Sequence, residues 1–155
     1  MEYVVESQHQ ARQPYVAVRT TVEMGAIGAS MGEQFERLYG WLGAHGVTPS
    51  GAPWARYLSV GASEVEVEVA APVATPPDAA DGGAIAGVLP ACEVASTVHT
   101  GPYDHLVDAY AAVNEWLHGQ GLQSTGAMWE VYLTSPEEEP DPGRWRTLVC
   151  YPYMR

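Results

Sequence analysis

The sequence predicts an α+β fold built from two pseudo-symmetric β-α-β-β repeats. Three observations carry this. First, residues 41–59 (WLGAHGVTPSGAPWARYLS) recur without a gap as residues 116–134 (WLHGQGLQSTGAMWEVYLT). Trp41, Leu42, Gly46, Gly51, Ala52, Trp54, Tyr57 and Leu58 return as Trp116, Leu117, Gly121, Gly126, Ala127, Trp129, Tyr132 and Leu133, each 75 positions on. Two Trp and a Tyr matching at one offset mark a duplication. Second, each copy has apolar residues at helical spacing, Met31, Phe35, Leu38 and Leu42 in one and Leu106, Tyr110, Val113 and Leu117 in the other. Third, each helix is followed by short β-rich runs, one of which, Glu64 to Val69, alternates strictly.

Repeat one spans about 15–70. Residues 15–22 (YVAVRTTV) are β-branched and predict a strand. A helix follows, and Gly43 and Gly46 stop it. Residues 54–59 and 64–69 predict two strands, with Val65, Val67 and Val69 toward the core and Glu64, Glu66 and Glu68 away from it. Residues 71–89 are rich in Pro, Gly and Ala and read as the connection between repeats.

Repeat two spans about 90–155. Residues 93–99 (EVASTVH) predict a strand, and Gly101-Pro102-Tyr103-Asp104 a turn with Asp104 as helix N-cap. Residues 128–134 and 146–151 predict a hairpin around the polar loop PEEEPDPG, read as a solvated turn. Together the repeats form a single domain. The expected arrangement is an antiparallel sheet with both helices on one side and a ligand cleft between repeats.

Composition narrows the function classes. The chain has 155 residues and a formal net charge of −12, and all seven basic residues are Arg. Such a surface repels phosphate backbones, so no direct nucleic-acid partner is expected. It suits either solubility or cationic partners. No apolar run is long enough to cross a membrane, and no secretory leader is evident, so the expected setting is cytoplasmic with no membrane partner. Cys92 and Cys150 are too few for a disulfide framework and read as small buried residues. His9, His45, His99, His105 and His118 lack metal-ligand spacing, and there is no Walker loop or GxGxxG, so neither metal nor cofactor is expected.

The informative position is where the copies differ, since Ala55 corresponds to Glu130. Side chains alternate along a strand, so Met128, Glu130, Tyr132 and Thr134 share one face and Trp129, Val131 and Leu133 the other. The second set reads as the helix-facing core and the first as the cleft face. Tyr57 holds the equivalent place in repeat one, and Tyr151 joins from the last strand. Trp54 and Trp129 read as core by parity, with a place in the cleft wall as the alternative. A carboxylate in a partly dry groove is costly unless it meets positive charge, and a cationic ligand would supply that charge.

At these residues the chain resembles the GyrI-like small-molecule-binding domains, which also form the effector-binding half of bacterial multidrug-responsive transcription regulators. The resemblance rests on VHTGPYDHL at 98–106, NEWLHGQGL at 114–122, MWEVYL at 128–133 and LVCYPY at 148–153, and it covers about 15 to 153. It implies binding of lipophilic, often cationic aromatic small molecules, with Glu130 as the anionic contact. Tyr132, Tyr57, Tyr103, Tyr110, Tyr151, Trp54, Trp129 and Met128 are then the candidate walls.

Some stand-alone members are similar to enzymes that hydrolyse cyclopropanoid DNA-alkylating antibiotics. On that alternative Glu130 is catalytic and positions a water, while a Tyr hydroxyl or His99 stabilises developing charge. A structural role for His99 is the competing reading. A third reading, from the related gyrase inhibitor, is an acidic protein that touches DNA gyrase.

Overall fold

A computed structural model describes residues 3–75, 77, 83–134 and 138–154. The elements, in chain order, are β1 (Glu6–Gln10), β2 (Gln13–Glu23), α1 (Ile27–Ala44), β3 (Trp54–Val60), β4 (Glu64–Pro72), β5 (Ala84–Leu89), β6 (Cys92–Thr100), α2 (Leu106–Gly119), β7 (Gln123–Ser124), β8 (Trp129–Tyr132) and β9 (Arg146–Met154). This is the expected α+β class. The chain forms two units, Arg12–Pro90 and the combination of Met1–Ala11 with Ala91–Arg155.

In the Arg12–Pro90 unit, antiparallel strands run β3-β4-β2-β5. Val16, Val18, Val65, Val67 and Val69 are buried and line up across β2 and β4 on one face. Helix α1 packs on those two strands. It buries Leu38, Trp41 and Leu42, because residues three and four apart share a helix face. Residues 71–89, expected as connection only, contain strand β5, which pairs with β2. Tyr15 crosses that pairing opposite Gly87, and a Cβ on Gly87 would come within 2.7–2.8 Å of its ring. Only glycine leaves room for the ring there.

The second unit orders its strands β1-β6-β9-β8, all antiparallel, with β7 also on β9. Its core joins Leu106, Ala109, Val113 and Leu117 of α2 to Ala95, Val149 and Tyr153 of the sheet. Strand β1 was not expected from its polar sequence ESQHQ. It is held to β6 by the ladder and by side-chain bonds such as Gln8 Nε2 to Ser96 Oγ at 3.2 Å.

The duplication is visible in the register. Ala55 faces Val69, which faces Val18; Glu130 faces Val149, which faces Thr97. It is also visible where the helices end. Gly46 and Gly121 have φ of 66° and 71°, in the left-handed region. Gly46 N–H donates to Gly43 O and Val47 N–H to Leu42 O; Gly121 N–H donates to His118 O and Leu122 N–H to Leu117 O. Both are Schellman caps, which satisfy carbonyls the helix leaves open.

Two local expectations change. Gly43 does not stop α1, which runs on to Ala44, because a glycine with helical dihedrals only weakens a helix and Gly46 supplies the left-handed turn. Asp104 is not an N-cap: a 3-10 turn over Tyr103–His105 precedes α2, His105 takes the cap position, and no side chain caps it.

Candidate functional site

Glu130 lies on β8 with 1% of its surface exposed. Its strand parity is as expected, but the face is the reverse. The register sets Glu130 opposite Val149, and the α2-facing core takes in Val149, Tyr151 and Met128. The face of Glu130 is therefore the one α2 covers. Trp129 and Val131 face away from α2, opposite Cys150 and Leu148, and Leu133 is 40% exposed rather than core. Alternation separates two faces of a strand; it does not say which one a helix will take.

Tyr110 of α2 reaches down and donates its hydroxyl to Glu130 Oε1. Tyr132, two residues along β8, donates to Oε2 at 3.0 Å. One hydroxyl thus serves each oxygen of the carboxylate. The ring of Tyr103 meets Tyr132 edge-on with centroids 5.7 Å apart. Burial raises the pKa of the Tyr103 hydroxyl, and the charge of Glu130 raises it further. The Tyr151 hydroxyl is raised by burial first; a hydrogen bond from Asn114 offsets this in part, and Glu130 adds to it. Four tyrosines thus surround one buried carboxylate.

Trp145 extends this aromatic wall. It stacks on Tyr103 with centroids 4.8 Å apart, and its indole N–H donates to Glu139 O at 2.7 Å. The sequence reading missed it because it follows a polar loop read as solvated. Its signal was a Trp immediately before a strand, flanked by Arg144 and Arg146. Part of that loop, residues 135–137, lies outside the described residues. A second missed residue is Thr147, opposite both Tyr132 and His99 on the same face. Thr147 is fully buried, and its hydroxyl has no partner among the described residues.

His99 is 1% exposed and both ring nitrogens are engaged. Nε2 lies 2.9 Å from Pro102 O, and Nδ1 lies 2.8 Å from the Tyr3 hydroxyl. A carbonyl can only accept, so Nε2 carries the proton, and Nδ1 accepts from Tyr3 in the neutral ring. This ties the end of β6 to the turn before α2 and to the N-terminal segment.

Tyr57 and Trp54 belong to the other unit. Tyr57 stands opposite Val67, on the face equivalent to that of Glu130. Trp54 is on the other face, edge-on to Tyr15 with centroids 5.6 Å apart. Also on that face, Glu68, expected to face away from the core, is fully buried. Arg19 Nε donates to its Oε2 at 2.8 Å, and Arg56 Nη2 lies 2.9 Å from Oε1. Alternation placed Glu68 on the correct face, but paired charge allows that face to be buried too.

A separate groove of about 800 Å³ in the second unit is lined by Tyr3, Val5, Asp108, Ala111, Ala112, Glu115 and Trp116. None of the residues expected at the site lines it. Among the described residues, no helix is long and apolar enough to cross a membrane, and no group of three or more His, Cys, Asp or Glu could hold a metal ion.

Residues 4–154 match the model of the GyrI-like small molecule binding domain. The chain belongs to the GyrI-like family. A crystal structure of the EcmrR C-terminal domain superposes with a TM-score of 0.84 at 21% identity, covering 100% of this chain and 99% of that one. EcmrR in a complex with DNA gives 0.86 at 20% identity; it covers 99% of this chain, which spans 58% of that longer protein. SAV2435 bound to tetraphenylphosphonium gives 0.65 at 14% identity, covering 99% of this chain and 94% of that one. At these identities the structures establish a shared GyrI-like fold. No curated protein sequence matches the chain.

Proposed function

We propose that this GyrI-like domain binds lipophilic cations of varied shape, with Glu130 as the anionic anchor. The observation that carries the reading is the carboxylate itself: it is buried on the α2-facing side, bonded by Tyr110 and Tyr132, and walled by Tyr103, Tyr151 and Trp145. Aromatic faces attract a cation through the ring quadrupole, and more strongly once water is excluded. Such contacts are tolerant of shape, since every face offers the same potential, whereas the carboxylate selects charge. The neighbour with bound tetraphenylphosphonium, an aromatic cation, supports the ligand class.

The test compares wild type with Glu130→Gln by calorimetry, using tetraphenylphosphonium and a neutral aromatic dye. Gln keeps the shape and removes the charge. The expected result is at least tenfold weaker cation binding, about 1.4 kcal/mol, with the neutral dye changed less than about twofold. Equal losses for both ligands would remove Glu130 as the anchor.

A further inference from the structure

The groove beside α2 lies apart from the residues that hold Glu130. It encloses about 800 Å³ and is lined by Asp108, Ala111, Ala112, Glu115 and Trp116 from α2 and by Tyr3 and Val5 from the N-terminal segment. Positions 108, 111, 112 and 115 are three and four residues apart in turn, so they share one face of the helix. Asp108 and Glu115 are two turns apart, about 10 Å along the helix axis.

The aromatic walls are held in place. The Tyr3 hydroxyl lies 2.8 Å from His99 Nδ1, and the Val4 carbonyl beside it accepts from Thr97 Oγ1 at 2.8 Å. Trp116 meets Tyr153 edge-on with centroids 6.3 Å apart. Tyr3 and Trp116 are only half-buried by these contacts.

The floor is particular to this copy. Seventy-five positions earlier, the first repeat has Glu33, Glu36, Arg37, Gly40 and Trp41. The helix of this fold therefore accepts long charged side chains where α2 has Ala111 and Ala112, and it forms without an acid at the place of Glu115. The two alanines keep the groove open, and Glu115 gives it a second charge.

That charge is unopposed. Two carboxylates line the groove and no basic residue does. Neither side chain has an ion pair or hydrogen bond among the described residues. The charge of Asp108 reaches the Tyr3 hydroxyl, whose pKa is raised first by burial and then by this carboxylate. A recess lined by one sign of charge focuses its potential on counter-ions. The faces of Tyr3 and Trp116 attract cations as well, Trp most strongly.

We propose that this groove is a second binding site, for an elongated dication with an apolar middle, such as two quaternary ammonium groups joined by an aliphatic chain. Asp108 and Glu115 meet the two charges, Ala111 and Ala112 lie under the chain, and Tyr3 and Trp116 flank it. The site shares no residue with the Glu130 site and does not depend on that reading.

The test is proton–nitrogen NMR of the whole protein. The probes are octamethonium as dication, octyltrimethylammonium as monocation and octanediol as neutral chain. The Trp116 indole resonance is assigned by its loss in Trp116→Phe. Octamethonium is expected to shift that resonance saturably, at least fivefold more tightly than the monocation, and octanediol is not expected to shift it. Asp108→Asn and Glu115→Gln each weaken octamethonium at least threefold. Ala112→Arg, which brings in the side chain of the first repeat, weakens it at least tenfold, whereas Glu130→Gln leaves it unchanged. If Ala112→Arg does not fold, the two carboxylate variants decide, since both positions are exposed. No saturable shift, equal affinity for monocation and dication, unchanged affinity in a folded groove variant, or a loss in Glu130→Gln would each overturn the proposal.

Discussion

The Tyr132 hydroxyl donates to Glu130 Oε2 at 3.0 Å from two residues along the same strand. The pair therefore stays together whatever α2 does, because i and i+2 on a strand share a face. Tyr110 differs, since its bond to the same carboxylate comes from the helix. A carboxylate that loses one buried donor pays for lost solvation. Tyr110→Phe and Tyr132→Phe are each expected to destabilise the fold by about 1–3 kcal/mol in urea unfolding. Removing both should cost less than the sum of the single losses in Glu130→Gln background, where the charge is gone.

Thr147 predicts the opposite sign. Its hydroxyl is buried without a partner, so Thr147→Val removes an unmet group and keeps the shape. The variant is expected to be more stable by about 1 kcal/mol, seen as a higher midpoint in urea with an unchanged slope. A loss of stability would show that the hydroxyl is satisfied in solution.

Gly87 should resist any side chain. A methyl group there would lie 2.7–2.8 Å from the Tyr15 ring, and Tyr15 is itself held by Arg56. Gly87→Ala is expected to cost about 1–3 kcal/mol through overpacking. Adding Tyr15→Leu should recover part of that cost, which a double-mutant cycle would measure.

Alkaline stability should track Cys150. Burial pushes its thiol up from 9.0 to about 12. Between those values the unfolded chain gives up the proton while the folded one keeps it. The unfolded state then binds fewer protons, so stability falls as pH rises through about 9 toward about 12. The raised hydroxyls of Tyr15, Tyr103 and Tyr151 act in the same direction above their usual 10. Cys150→Ala should therefore flatten the decline between pH 9 and 11, measured by urea unfolding at each pH. Cys150 should also resist thiol reagents until the protein unfolds, since the thiolate is the reactive form.

Much of this was legible in the sequence. The repeat offset located both helices, both Schellman glycines and the equivalence of Ala55 with Glu130, because these are local patterns at a fixed spacing. Parity grouped Glu130 with Tyr132 and Met128 for the same reason. Strands β1 and β5 were not legible: ESQHQ and AIAGVL carry little strand signal, and both are defined by partners distant in sequence.

The sequence by itself determined the duplication, the α+β class and the one acidic break between the copies. Only the tertiary structure decided that α2 covers the face of Glu130, that Trp145 joins its wall, and that Glu68 is buried between Arg19 and Arg56. The physical reason is that alternation assigns side chains to two faces without naming what covers either. That choice is made by packing between elements far apart in the chain, where a helix settles on the face it fits and paired charge makes the burial of a carboxylate affordable.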